Sequence, residues 1–451
     1  MGQQIETLAQ FAANTQWEDI PESVQRHAKL VFLDTLGVIL AGSVRPEVQE
    51  LRARLAPGAG SGATVYASGS PSHDPRTAAL LNGIAGRAIE LCEGLRLVSG
   101  QAAMQVLPAV LALGESAQSR GREMITALVV GYDLAARLCT AFTPRPLAHQ
   151  NGQASLLAAA AAGARVRGLK AAEVSRAMRI ATTLVLTPSY TNAVAGATTL
   201  NVAGGMSGFA GALAPDLALA GFEAQDDAIE EALGSLVGSG FNPENLLGEL
   251  GTRWEITRNY FRLYACCNPV HPALDSLQEV LKTLRPSAED IERIDVATYR
   301  FASVMRNPDP PNYFASKYSL PHAAAVMVVK GNAGHGSIDD ASLRDPKIAA
   351  LRHRVHVTED PAMTAVAPRL RPARVMVTLK DGRTSAHACE SHRGDFHQPF
   401  EESELRDKFR ELAGLVLTPD GVAQIEKAVD RCEQWTTVRE LTDALRRHGR
   451  N

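Results

Sequence analysis

Two carboxylates, Glu90 and Glu93, lie three residues apart in the stretch AIELCEGLRLVSGQAAMQVLPA, residues 88–109, beside a glycine-containing turn. Paired acids next to a tight loop can form a catalytic pocket in which a carboxylate orients a substrate or handles a proton. The same pair can lie on a solvated helix end, as charged residues near loops usually do. The stretch leaves both interpretations open.

Histidine is the other residue type suited to proton transfer near neutral pH. His149, His271 and His322 are scattered along the chain, and no two of them have the i,i+4 spacing of a helical metal site. The sequence also has no Walker A loop, no GxGxxG, no HExxH and no GxSxG. Its six cysteines form no CxxC pair, which favours reduced thiols over a zinc site or a disulfide framework. No metal site is predicted.

Composition restricts the possible partners. The 451 residues carry a formal net charge of −3, with 45% hydrophobic and 21% charged residues. Nothing in this balance favours binding to nucleic acid or to an anionic membrane surface. The N-terminus lacks a basic region followed by a long apolar run, and we expect no uninterrupted apolar segment of the roughly 20 residues that span a membrane. The expectation is a soluble, cytoplasmic protein that binds a small molecule.

Hydrophobic periodicity indicates which elements position these residues. Residues 1–262 are rich in Ala, Leu and Gly, with apolar residues at helical spacing. Residues 263–395 contain alternating strand patterns, including a hairpin around Asp381-Gly382. Residues 396–451 return to amphipathic helix. The predicted fold class is mainly α: a large all-helical domain, 1–262 and 396–451, with a smaller α+β lid, 263–395, inserted before the C-terminal helices.

Five stretches, in order along the chain, carry a family resemblance: FLDTLGVILAGS (32–43), ALLNGIAGRAIELCEG (79–94), VLPAVLALGESAQSRGREMITALVVGYDLAARL (106–138), SLPHAAA (319–325) and RGDFHQPFEESELRDKF (393–409). Together they resemble the MmgE/PrpD family, which includes 2-methylcitrate dehydratase, cis-aconitate decarboxylase and an iminodisuccinate epimerase. The resemblance implies a helical domain and an α+β lid with the pocket between them, a homodimer, and no cofactor.

The resemblance assigns the opening pair of acids to the pocket. Family members usually carry His-Ala-x-Asp-x-Asp-Asp in the stretch that starts at residue 87, followed by a histidine before Leu-Pro-Ala. Glu90 falls on the first aspartate, Cys92 and Glu93 on the later pair, and Gln101 on the histidine. An amide can form a hydrogen bond but cannot move a proton at neutral pH, so Gln101 is expected only to donate a hydrogen bond to the substrate.

Three further positions depart from the family pattern where it has cations. Leu200 and Asn201 replace a lysine and an arginine, and Arg262 replaces a lysine. Each buried carboxylate of a substrate needs a paired cation, so the losses at 200 and 201 favour a less anionic, more apolar ligand. Arg262 retains a cation that can hold a carboxylate but is a poor proton donor.

The histidines then receive the catalytic roles. His149 and His271 match retained family histidines, and His322 replaces a tyrosine in the SLPY-type motif. We expect His149 to be the principal acid or base, titrating near neutral pH, with Glu90 orienting it and His322 returning the proton from the lid. The expected substrate-binding residues share the same pocket: Glu93, Gln101, Leu200, Asn201, Arg262 and His271.

Three functions remain open from the sequence. The first is a cofactor-independent lyase or isomerase with a diverged site, acting next to a carbonyl or carboxylate, in specialised-metabolite biosynthesis. The second is a standard carboxylate dehydratase of the 2-methylcitrate type. The third is a binding or scaffold protein that has lost its chemistry. Against the third, Asp-to-Glu and Lys-to-Arg replacements preserve charge, and Tyr-to-His introduces a titratable group.

We predict a homodimer that forms through the helical domain, because Ala- and Gly-rich helices such as 196–221 suit close subunit packing. Sedimentation equilibrium at micromolar concentration should give twice the 48.2 kDa of one chain. A mass near that of a single chain would contradict the prediction.

Overall fold

The computed structural model describes residues 2–55, 62–98 and 100–450. The fold is mainly α, as predicted. The helices of the first 250 residues are Gly2–Asn14, Glu22–Gly42, Pro46–Arg54, Pro75–Ala88, Ala103–Ala117, Gly121–Ala141, Ala154–Val166, Ala171–Ile180, Thr191–Ala195, Leu200–Leu219, Ala228–Glu230 and Glu244–Leu247. The later helices are His271–Leu284, Arg300–Ser303, Tyr313–Ser316, Leu320–Lys330, Pro346–Arg352, Pro361–Val366, Glu402–Ala413, Pro419–Asp430 and Arg439–His448.

Most of the strands that lie among the helices are short and pair two by two. Ala63–Thr64 pairs with Ser72–His73, and Phe142–Pro144 pairs with Gly238–Phe241. The strand Gly94–Leu95, which directly follows Glu93, pairs with Asn259–Tyr260. This last pairing brings residues 88–95 next to the start of the α+β part of the chain.

The larger sheet has four strands in the order Thr384–Cys389, Ala373–Leu379, Ile291–Thr298, Val355–Glu359. Only the last pair is parallel. The hairpin predicted around Asp381-Gly382 is confirmed, with Thr384 opposite Thr378. All four strands lie inside residues 263–395, although the exact domain boundaries stay a prediction.

The helical part is packed through glycines. Helices Pro75–Ala88 and Leu200–Leu219 approach each other so closely that a Cβ on Gly83 would lie 2.8 Å from the Cα of Gly205. Small side chains permit such backbone contact between helices. The Gly-rich composition of Leu200–Leu219 therefore has a reason within one chain, independent of any subunit contact.

The apolar core divides unevenly. One cluster lies within the helical part, whereas a second joins residues such as Ile89 and Leu91, which follow helix Pro75–Ala88, to Val270, Leu274 and the inner face of the four-stranded sheet. The stretch with the two acids thus lies in the core shared by both parts of the protein.

By length and composition alone, helices Gly121–Ala141 and Leu200–Leu219 are long and apolar enough to cross a membrane. Neither is an uninterrupted apolar segment, because Asp133 and Arg137 interrupt the first and Asp216 the second. A third candidate is the pair Glu22–Gly42 and Pro46–Arg54, which meet at an 81° bend. Within the fold, 94% of the apolar stretch of Gly121–Ala141 and 61% of that of Leu200–Leu219 are buried. Their apolar surface is therefore largely used by internal packing.

Gly205→Ala should lower the free energy of unfolding by about 1–3 kcal/mol, the usual cost of overpacking. The added methyl group would lie 2.5 Å from the carbonyl oxygen of Leu80, so the two helices must separate. Urea denaturation measures the change. Gly240→Ala is the control, because nothing lies within 4 Å of its added Cβ; equal losses for both variants would contradict the close helix contact.

Candidate functional site

A cavity of about 550 Å³ lies where the two parts meet. Its polar wall is formed by the following side chains: Arg87, Glu90, Gln101, His149, Gln150, Tyr190, Tyr260, Cys267, Asn268, Tyr299, Arg300, Tyr318, Thr364 and Arg371. The remaining lining is largely apolar: Leu95, Leu97, Val98, Gly100, Pro146, Pro269, Phe301, Val304, Ala367 and Pro368. Of the predicted site residues, the cavity brings together Glu90, Gln101 and His149.

Glu90 lies just past the end of helix Pro75–Ala88, which Asp74 caps at its start. Its φ of 52° is in the left-handed region, which a residue other than glycine rarely adopts and which often marks a functional site. Glu90 is 1% exposed and Glu93 is fully buried. The interpretation of this pair as a solvated helix end is therefore wrong.

The Glu90 carboxylate is the centre of a buried ion cluster. Its Oε2 pairs with Arg87 and accepts a hydrogen bond from the Tyr318 hydroxyl at 2.9 Å, while Oε1 pairs with Arg262 at 2.7 Å. Arg87 also donates to the Tyr318 oxygen at 2.7 Å. Two guanidinium groups against one carboxylate leave a net positive charge at the cavity wall. Burial raises the pKa of Tyr318 to about 12, so its hydroxyl stays protonated at neutral pH.

Arg262 lies behind Glu90 and outside the cavity lining. Its Nε donates to the carbonyl oxygen of Cys92 at 2.6 Å, and its Nη1 also donates to the carbonyl oxygen of Cys266 at 3.2 Å. Its Nη2 donates to the Cys92 sulfur at 3.2 Å. The guanidinium was expected to hold the substrate, but it instead neutralises Glu90 and ties the stretch 88–95 to the α+β part.

His149 presents a neutral ring to the cavity. Its Nδ1 accepts the backbone N–H of Asn151 at 3.2 Å, which assigns the ring proton to Nε2, and the ring stacks on Tyr190 at 5.6 Å. Burial, helped by the charge of Arg87, lowers the pKa of His149 to about 3. The expectation that His149 titrates near neutral pH, oriented by Glu90, was wrong. The ring is a hydrogen-bond donor.

Several buried polar atoms of the cavity lining have no hydrogen-bond partner among the described residues, including Gln101 Oε1 and the hydroxyls of Tyr190 and Tyr299. An unsatisfied buried polar atom costs free energy, so a ligand that pairs with it gains affinity. Gln101 was expected to act only as a donor, whereas its free atom is an acceptor oxygen.

Glu93 does not reach the cavity. Its carboxylate accepts the backbone N–H of Ala103 at 2.9 Å and the Tyr132 hydroxyl at 2.5 Å. Burial raises its pKa to about 7. An acid at the N-terminus of helix Ala103–Ala117 stabilises the exposed N–H groups there, so the structure gives Glu93 a structural role rather than the expected contact with substrate.

Leu200 and Asn201 also lie outside the cavity lining. Leu200 is fully buried in the shared apolar core with Met104 and Ala193. Asn201 is 2% exposed, and its side-chain nitrogen and oxygen have no partner among the residues that the structure describes. The expectation that positions 200 and 201 set the polarity of the pocket was wrong, because the helix turns both side chains into the protein interior.

His271 and His322 are buried away from the cavity. His271 Nε2 lies 3.1 Å from the carbonyl oxygen of Cys266, and His322 Nε2 lies 3.1 Å from the Ser342 hydroxyl. Burial lowers the pKa of both, to about 3 for His322. Return of a proton by His322 from the lid side, and substrate binding by His271, are therefore not supported by their positions.

Sequence reasoning missed Arg87, Tyr318 and Arg371. The sequence does contain a signal for Arg87: it is the only basic residue in the otherwise largely apolar run ALLNGIAGRAIELC, three residues before Glu90, and it occupies the histidine position of the family pattern quoted above. A charge on an apolar helix must find a buried partner. Tyr318 and Arg371 leave no comparable signal, because only the fold brings them to the cavity. Within residues 2–55, 62–98 and 100–450, no group of three or more His, Cys, Asp or Glu side chains could hold a metal ion.

Two relatives named cis-aconitate decarboxylase align with most of the chain, and a dehydratase-like relative aligns with a third of it. A cis-aconitate decarboxylase of Aspergillus terreus is 25% identical, covering 97% of this chain and 95% of the relative. The cis-aconitate decarboxylase of Homo sapiens is 23% identical, covering 95% and 91%. A 2-methylcitrate dehydratase-like protein of Aspergillus oryzae is 29% identical over 157 residues, 33% of this chain and 32% of the relative.

Two domains of one protein family also match the chain. Residues 6–241 match the MmgE/PrpD N-terminal domain, and residues 264–434 match the MmgE/PrpD C-terminal domain. The cavity lies between these two matched segments, with Arg87, Glu90 and His149 in the first and Tyr318 in the second. Because both domains match in order over most of its length, the chain belongs to the MmgE/PrpD family.

Proposed function

We propose that the protein is a lyase that acts on a carboxylic acid bound in the cavity between the two family domains. One observation carries the proposal: the buried cluster of Arg87, Glu90 and Tyr318, with net positive charge, opens on the cavity that also contains the His149 donor. Decarboxylation and dehydration, the reactions in the names of the relatives, are both lyase reactions. Both reactions develop negative charge next to a carboxylate or carbonyl group.

Arg87 is the group that binds the carboxylate. It lines the cavity, and Glu90 neutralises only one of the two guanidinium groups in the cluster. A buried cation without a full counter-charge attracts an anion, and the planar guanidinium suits a carboxylate. Leu95, Leu97, Phe301 and Val304 accommodate an apolar part of the ligand. The substrate is therefore less anionic than cis-aconitate, which has three carboxylates.

When CO₂ or a proton departs, the electron pair of the broken bond stays on the carbon, which must be conjugated with a carboxylate or carbonyl group that remains in the substrate. Delocalised as an enolate, this pair places negative charge on an oxygen. Arg87 and the Nε2–H of His149 are donors that can stabilise that oxygen, and a fixed donor in a buried site is worth far more than in water. A neutral imidazole suits this role because it does not have to give up its proton.

Tyr318 supplies the proton in a decarboxylation. Its hydroxyl is protonated at neutral pH, and its position is fixed because it donates to Glu90 and accepts from Arg87. The O–H bond must turn from Glu90 towards the substrate; its proton then passes to the carbanion carbon to form a C–H bond, and the phenolate left behind is stabilised by the hydrogen bond from Arg87. A water molecule that enters through the cavity mouth then gives the phenolate a proton and leaves as hydroxide.

The proposal is tested with a panel of β,γ-unsaturated and β-hydroxy mono- and dicarboxylic acids in heavy water. CO₂ release, alkene absorbance and deuterium incorporation are measured together. Turnover with CO₂ release supports a decarboxylase. Turnover with loss of water instead supports the second candidate, a dehydratase, which the 157-residue match to the dehydratase-like protein favours. Absence of both turnover and exchange with every acid would contradict the lyase and favour a binding protein.

Replacement of His149 distinguishes a donor from a general base. His149→Gln keeps an N–H near the position of Nε2–H and should retain turnover within about tenfold, whereas His149→Ala should lose about 10²–10³-fold in kcat, the usual effect of one missing donor. Steady-state kinetics on the best acid of the panel gives both values. Equal, severe losses in the two variants would show instead that the ring must move a proton.

Tyr318→Phe should lower kcat by about 10²–10⁴-fold while KM changes little, because the hydroxyl moves a proton whereas Arg87 binds the carboxylate. Tyr313→Phe is the matched control: this tyrosine is also buried, but it lies outside the cavity lining. A near-native kcat for Tyr318→Phe would contradict the proposal that the Tyr318 hydroxyl donates the proton. A comparable loss for Tyr313→Phe would attribute the effect to packing.

A further inference from the structure

The cavity lining contains three arginines: Arg87, Arg300, which pairs with Glu359, and Arg371, which lies on the α+β side just before strand Ala373–Leu379. Arg371 is 9% exposed. Its Nη2 donates to the carbonyl oxygen of Arg96 at 2.7 Å, and its Nη1 donates to the amide oxygen of Asn268. Both acceptors are neutral, so these hydrogen bonds hold the guanidinium without neutralising its charge.

The lack of a counter-ion distinguishes Arg371 from the protein's most deeply buried arginines. Arg87 and Arg262 pair with Glu90, Arg96 pairs with an aspartate, and so does Arg137. No carboxylate forms an ion pair with Arg371 among residues 2–55, 62–98 and 100–450, and the other residues of the sequence have no acidic side chain. A buried charge without a partner costs several kcal/mol, which an anionic ligand would remove.

The surroundings fix Arg371 in place. Arg96 Nη1 donates to the carbonyl oxygen of Pro368 at 2.9 Å, and its Nη2 donates to the Ser391 hydroxyl, also at 2.9 Å. The segment that carries Arg371 is thus bound to Arg96, to which Arg371 donates in return. On the other side, Asn268 is held by His392 Nε2 at 2.8 Å. A guanidinium held in this way loses little conformational entropy when a ligand binds.

We propose that Arg371 forms a second anion subsite that binds a second carboxylate of the substrate. The inference deepens the proposed function and rests on it for the position of the first carboxylate, at Arg87. The Tyr299 hydroxyl, which lines the same cavity and has no partner among the described residues, can donate to the second carboxylate. The cluster around Glu90 contributes one net positive charge and Arg371 another, which together match a dianion.

Arg371 then determines specificity between di- and monocarboxylic acids. It lies in the segment that matches the C-terminal family domain, whereas Arg87 lies in the segment that matches the N-terminal domain. A dicarboxylate bound to both would connect the two parts of the protein. The second cation therefore comes from the α+β part and not from positions 200 and 201, which face the interior.

Binding of simple acids of matched length tests the subsite without any turnover. Isothermal titration compares succinate with butyrate, and glutarate with pentanoate. The unaltered protein should bind each dicarboxylate at least about tenfold more tightly, as expected for a charge-assisted hydrogen bond. Arg371→Gln should remove this preference and leave monocarboxylate binding within twofold. Arg369→Gln is the control, because this exposed arginine lies two residues away in the same segment.

Arg371→Lys separates charge from folding: it should fold and keep part of the preference. The proposal is overturned if the unaltered protein shows no preference, or if Arg371→Gln retains it. The lyase proposal fails separately. Turnover of monocarboxylates without any dicarboxylate preference would contradict the Arg371 subsite but not the lyase proposal. A dicarboxylate preference that depends on Arg371, without turnover of any acid, would support the subsite and contradict the lyase proposal.

Discussion

The buried carboxylate of Glu90 constrains much of the rest of the structure, because a charge removed from water is stable only with close counter-charges. Arg87 and Arg262 provide those charges, and Tyr318 adds a hydrogen bond. Since Arg87 lies in the helical part while Tyr318 comes from the α+β part, the carboxylate holds both parts against each other. The cavity lies directly beside this polar cluster.

A second buried ion pair, Lys408 with Asp34, stabilises the segment next to Glu90. Lys408, on helix Glu402–Ala413, donates to Asp34 at 2.6 Å and to the carbonyl oxygen of Leu91 at 2.9 Å. Helix Glu402–Ala413 thus binds the segment that contains Glu90 through a hydrogen bond to its backbone. This contact gives a physical reason for the return of the chain to the helical part after the sheet.

The electrostatics of the site favour fixed donors over titrating bases. Burial lowers the pKa of His149 to about 3 and raises that of Tyr318 to about 12, so both keep their neutral forms across the physiological range. The permanent charges belong to Glu90 and to the arginines at the cavity. Such a site stabilises charge that develops on the substrate, which agrees with chemistry that begins with the loss of CO₂ or a proton next to a carboxylate.

The helical periodicity, the hairpin around Asp381-Gly382 and the ordered family motifs were sufficient to predict the fold class, because they depend on local pattern. Sequence also placed Glu90, Gln101 and His149 at the pocket, by their position in the family pattern. It could not show that Leu200 turns into the core or that Arg371 reaches the cavity from a distant segment. Those outcomes, and the pKa of His149, depend on burial and on neighbours far apart in the chain, which only the packing of the tertiary structure decides.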